Sequence, residues 1–156
     1  MDQERLTMNS IDVYTAWSNA EHECVKRLFK LVDDELKFNP GTTAIIGDRV
    51  DLTGKINVFC FSIAGGDAQE HQYQSGAANW HTTATLKGLY DSREKAMMLA
   101  TLMMRAVPFN DIPGVTRLYL LTHPRLETIE MRVANTEEIQ LAYYVEVTFG
   151  IVYGIV

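Results

Sequence analysis

Residues 139 to 155 alternate strictly for most of their length. The odd positions read Ile139, Leu141, Tyr143, Val145, Val147, Phe149, Ile151, Tyr153 and Ile155, and the even positions hold Gln140, Ala142, Tyr144, Glu146, Thr148, Gly150, Val152 and Gly154. Side chains alternate faces along a strand, so one apolar face is held in a register no helix keeps. At roughly 3.3 Å per residue the strand would span about 50 Å, far beyond the usual length. It must bend, with Gly150 the natural place, or extend beyond its own domain. An extended apolar end aggregates unless something pairs with it. The strand therefore points to an assembling protein, with Phe149, Ile151 and Tyr153 as contacts. Deleting residues 149–156 is expected to impair assembly more than folding.

Earlier segments carry other periods. From Ile11 to Phe38, apolar residues fall at Tyr14, Trp17, Ala20, Cys24, Val25, Leu28, Leu31, Val32 and Leu36. Spacings of three and four predict one long helix, with a bend near Ser18–Asn19 and an end at Asn39-Pro40-Gly41. Residues 43–52 read as a first strand, Thr53-Gly54 as a hairpin turn, and 55–64 as a second strand. That strand is apolar on both faces, with Val58 and Cys60 on one and Phe59, Phe61 and Ile63 on the other. Then the period stops. Residues 65–78, GGDAQEHQYQSGAA, form a polar loop of a length that is usually functional or mobile. A strand over 79–90 follows. Asp91 with Glu94 makes a capping box for a helix over 92–107. Its stripe of Ala96, Leu99, Ala100, Met103 and Val107 is widened by Met97, Met98, Leu102 and Met104. Core packing accounts for such a stripe. The alternative is that Met98 and its neighbours meet another subunit, where flexible side chains suit an adaptable contact. Strands over 115–122 and 128–133 lead into the last one. The order α-β-β-β-α-β-β-β predicts an α+β fold: a mainly antiparallel β-sheet with two α-helices packed on one face.

Composition narrows the classes. The 156 residues fit a single domain spanning 1–156. The net charge of −6 argues against a binder of duplex DNA or anionic membrane that relies on a general positive field. The start, MDQERLTMNS, lacks the basic and apolar regions of a signal peptide, and no apolar run reaches membrane-spanning length, so a reducing cytoplasm is the simplest compartment. Cys24 and Cys60 read as small buried hydrophobes. Of the four histidines, His71 and His81 can meet only if the loop folds back, and zinc needs more ligands than that pair supplies. No GxSxG or P-loop motif occurs, and Cys60 lies in an apolar strand where a thiolate is disfavoured. Tyr73, Trp80 and Tyr144 are aromatic enough to stack on bases, but few cations lie near them in sequence. No catalytic residue, cofactor or metal site is assigned.

The arrangement resembles the tail terminator, or tail-completion, proteins of long-tailed bacteriophages and prophages. The likeness is carried by the N-terminal helix, the strand INVFCFSIA, the polar loop, the strand WHTTATLKGLY, the helix DSREKAMMLATLMMRAV, and the closing strands that end in LAYYVEVTFGIVYGIV. It covers nearly the whole chain and rests on order, size and pattern. The resemblance implies a structural virion protein, made in the bacterial host cytoplasm. It implies a homohexameric ring that caps the tail tube, joins it to the head–tail connector protein, and lets DNA pass its lumen without specific binding. On that reading the loop residues Gly65, Gly66, Asp67, Gln69, His71 and Tyr73 reach a neighbouring ring or the lumen, and the terminal strand pairs between subunits. Another virion part (tube or connector/stopper protein) is one alternative. The other is a small cytoplasmic enzyme or ligand-binding domain with a pocket under the loop.

Overall fold

The fold is a computed structural model that describes residues 10–43, 56–64, 67–68, 79–105, 111–132 and 136–154. Helix α1 covers Ser10–Leu31 and passes into a turn of π-helix at Val32–Leu36. Strands β1 (Thr42–Thr43), β2 (Val58–Ile63), β3 (Asp67–Ala68) and β4 (Asn79–Tyr90) follow. Helix α2 (Arg93–Met104) precedes β5 (Val115–Leu120), β6 (Arg125–Arg132) and β7 (Ile139–Gly154). All seven strands join one sheet, and both helices pack on one face of it. The α+β architecture expected from the sequence is therefore present. The remainder of the expected first strand, the Thr53-Gly54 turn and Val107 lie outside the described residues.

Strand β7 is the spine. Along one edge it pairs antiparallel with β4, from Tyr143 opposite Tyr90 to Gly154 opposite Asn79. Along the other edge it pairs with β6 over its first half and β5 over its second. From Tyr143 to Gly154 the strand thus has neighbours of its own chain along both edges, and residues 139–142 are paired with β6. This corrects the expectation of a free end: the length of β7 is used up by neighbours placed end to end. The strand also runs unbroken through Gly150. A Cβ there would collide with the Tyr119 ring, which lies across it, so glycine provides clearance rather than a bend.

The core lies between this sheet and the helices. α1 presents Ala16, Ala20, Cys24, Leu28 and, in the π turn, Val32 at every fourth position, all buried. The small residues at the start of that row let the helix approach β2, where the Trp17 indole N–H donates to the Ile63 carbonyl at 2.7 Å. Phe29 meets Phe59 edge-on at 5.2 Å between centroids. The helix does not break at Ser18–Asn19; its irregularity is the π turn, closed by Lys37 in the left-handed region. Tyr14, expected on the inward stripe, is exposed. Gly41, at φ +108°, passes so close to the Asn57 carbonyl that no Cβ fits. It leads into β1, which pairs parallel with β2, where a hairpin would have made the pair antiparallel.

Phe149, Ile151 and Tyr153 are 1%, 0% and 1% exposed, beneath the helices with Val145 and Val147. Trp80 stacks on Tyr153 at 5.7 Å. The three β7 residues expected at an interface are core residues, because the apolar register of β7 faces the chain's own helices.

Candidate functional site

Helix α2 begins at Ser92, whose hydroxyl accepts from the Lys95 N–H at 3.5 Å. Asp91, the cap expected from the sequence, instead binds the side-chain amide of Asn57, at 3.2 Å, and the Lys95 ammonium. The Asn57 bond is the main cause that holds the Asp91 carboxyl below its usual range. Ala96, Leu99, Ala100 and Met103 face the sheet and are buried. The helix has a second apolar surface. Met97, Met98, Thr101 and Leu102 line a groove of about 450 Å³ against Glu35 and Leu36 of the π turn. Met97 and Met104 are 41% and 52% exposed. The widened methionine stripe is thus not wholly buried; its outer part is the floor of an open groove. Charged residues rim it. Arg105 pairs with Glu35 at 3.4 Å, an exposed ion pair worth at most about 1 kcal/mol. Arg93 sets its guanidinium 3.0 Å from the Met97 sulfur.

A second apolar surface belongs to the β6–β7 hairpin. Pairing with β4 stops at Tyr143, so residues 139–142 of β7 continue as a two-stranded ribbon with β6. One face of the ribbon is anchored: Met131 and Ala142 close a small cluster with Val58 and Leu89 on the side of the sheet away from the helices. The other face is open. It carries Leu141 and Ile139, which are 49% and 62% exposed, with Glu130 opposite Leu141, while Leu126, 40% exposed, lies further along β6 opposite Val145.

The remaining open surface is the sheet face away from the helices. There the His81 Nε2 and Tyr119 hydroxyl lie 2.7 Å apart, and the Arg117 guanidinium sits 4.6 Å from the Tyr119 ring centre. Arg125 reaches Glu146 at 2.9 Å across the strand pair and lies over the Tyr144 ring. Burial is the main cause that pushes the Tyr144 phenol up to about 12, with the Glu146 charge adding to the rise and Arg125 opposing it. These contacts tie side chains to one another along and across β4, β5, β6 and β7.

Of the residues singled out from sequence, Met98 lines the groove. Asp67 lies in β3, whose backbone pairs with β4 opposite His81. Gly65, Gly66, Gln69, His71 and Tyr73 lie outside the described residues, so the pairing of His71 with His81 does as well. Cys24 and Cys60 are buried free thiols. Among the described residues no three His, Cys, Asp or Glu side chains converge as a metal set, and no helix is long and apolar enough to cross a membrane. Sequence reasoning missed Leu36, Leu126, Ile139 and Leu141 as surface contacts. The signal for the last two was present, since the apolar register of β7 begins before the strand reaches the helices. Compared with known proteins, the chain matches no family model and no curated sequence.

Proposed function

We propose that this chain is a structural protein that assembles into a closed ring, of the kind that terminates a phage tail tube and joins it to the head–tail connector. The observation that carries the reading is the presence of two unmated apolar surfaces on one protomer, the α2 groove and the open ribbon face. Contiguous exposed apolar surface rimmed by charge marks interaction sites. Two different surfaces on one chain suit a heterologous contact, which closes into a ring when its rotation permits. The order of elements adds support, since it is the order on which the tail terminator resemblance rests. The net charge of −6 suits a lumen past which DNA moves without sticking.

Light scattering after size exclusion, over a range of concentrations, tests the reading. A discrete closed oligomer, a hexamer above all, is the expected result. Unlimited polymers would favour a tube protein, and a monomer at every concentration would overturn the ring. A second reading draws on the same groove: a small ligand-binding domain. An apolar compound that raises the melting temperature while the chain stays monomeric would replace the first reading with that one.

A further inference from the structure

The ring reading leaves open which surfaces meet. We infer that the open face of the β6–β7 ribbon docks into the α2 groove of a second copy of this chain. The inference rests on the chain being a homo-oligomer and names the contact.

Each surface has what the other lacks. The groove, about 450 Å³, is floored by Leu36, Met97, Met98 and Leu102. Pockets of that size hold several aliphatic groups, and methionine adapts its shape to an incoming side chain. The ribbon offers Leu141 and Ile139 on an edge that projects past β4. Its other face is already anchored by Met131 and Ala142, so the strands are held in place before they meet a partner. That lowers the ordering cost of docking.

Charge completes the match. Glu130 stands on the open face of the ribbon opposite Leu141, and Arg93 stands at the rim of the groove. Among the described residues no ion pair is formed by either, and the Arg93 guanidinium lies against the Met97 sulfur. Docking the apolar strip brings a carboxylate and a guanidinium of opposite sign to the same rim, which fixes the direction of insertion.

One chain cannot satisfy both surfaces by itself. Within a protomer β6 and β7 meet α2 on its sheet-facing side, where Leu126, Glu127, Thr128 and Tyr143 line a smaller hollow with Arg93 and Ala96. The groove opens on the outer side of the helix. The ribbon must therefore serve the next copy, and that copy's ribbon the one after it.

A mixing experiment separates this contact from any symmetric one. Met98→Asp spoils only the groove and Leu141→Asp only the ribbon, and both side chains are at least partly exposed, so folding should survive, as circular dichroism will show. Each variant alone is expected to be monomeric where the wild type is oligomeric. Mixed in equal amounts, they are expected to form a 1:1 pair and nothing larger, because one intact groove meets one intact ribbon and the chain of contacts stops there. As a second arm, Arg93→Glu and Glu130→Arg should each weaken assembly at least tenfold, and the double exchange should restore it. A variant that keeps the wild-type oligomer, a mixture that stays monomeric, or a double exchange without rescue overturns the docking while the ring stands. A wild type that is monomeric throughout overturns the ring itself.

Discussion

Cys24 illustrates how a single side chain reports the state of the core. It lies on the sheet-facing row of α1, and burial, aided by Glu21 and Glu23, pushes its thiol from 9.0 up to about 12. Between those values the unfolded chain gives up a proton that the folded chain keeps. The contribution is fully present below about pH 9 and is lost as pH rises toward about 12. Cys24→Ala should therefore melt with a shallower loss of stability between pH 9 and 11 than the wild type. Thermal melts across that range check it, and parallel curves would count against it. Tyr90, whose phenol is also raised by burial, contributes to the same fall in both proteins. Gly150 gives a second test at this scale. Adding a methyl there forces the Tyr119 ring aside and with it the bond to His81. Gly150→Ala should cost about 1 kcal/mol, on the scale of one lost hydrogen bond. In a Tyr119→Ala background the same change should be neutral or mildly stabilising, since glycine weakens a strand interior. A double-mutant cycle measured by denaturant melts decides, and equal effects in both backgrounds would remove Tyr119 from the explanation.

Among the elements, β7 carries most of the structure. Its second half supplies Phe149, Ile151 and Tyr153 to the core and pairs with β4 and β5. Truncation after Thr148 is therefore expected to abolish cooperative unfolding altogether, as each large core side chain alone is worth about 3–5 kcal/mol. A truncated chain that keeps a sharp thermal transition would refute this. The alternation of β7 was readable residue by residue, and so was the α1 row from Ala20 to Val32, though at its start Ala16 is buried where Tyr14 was expected. What covers a face was not. Period alone cannot say where the helices end above the sheet, so Ile139 and Leu141 looked the same as Val147 and Phe149. Nor did Asp91 look different from a cap, because its true partner, Asn57, lies 34 positions away. Gly150 looked like a hinge because the ring that occupies its space comes from β5.

At the scale of the molecule, besides Ile11 and Tyr14 at the start of α1, two open apolar surfaces stand out among the described residues, and each sits on an element anchored on its other side. α2 is fixed to the sheet by Ala96, Leu99, Ala100 and Met103, and the ribbon by Met131 and Ala142. Both surfaces are consequently held stiffly, and the proposed contact between copies would have a definite angle. Whether the rotation between copies closes on itself decides between a ring and an open helical filament.

The spine has a consequence for the way the chain is made. Strands β4, β5 and β6 all precede β7, and none can find its shared neighbour until residues 139–154 have left the ribosome. Most of the sheet's pairing, all but the ladders that join β1, β2 and β3 to one another and to β4, is thus deferred to the final stretch of synthesis, at a rate of about 5–20 residues per second. Such long-range pairing is slow to form. A nascent protomer cannot present a completed ribbon early, because the ribbon needs β7 as much as the core does. The core and the ribbon are therefore completed together, in the same last step of synthesis.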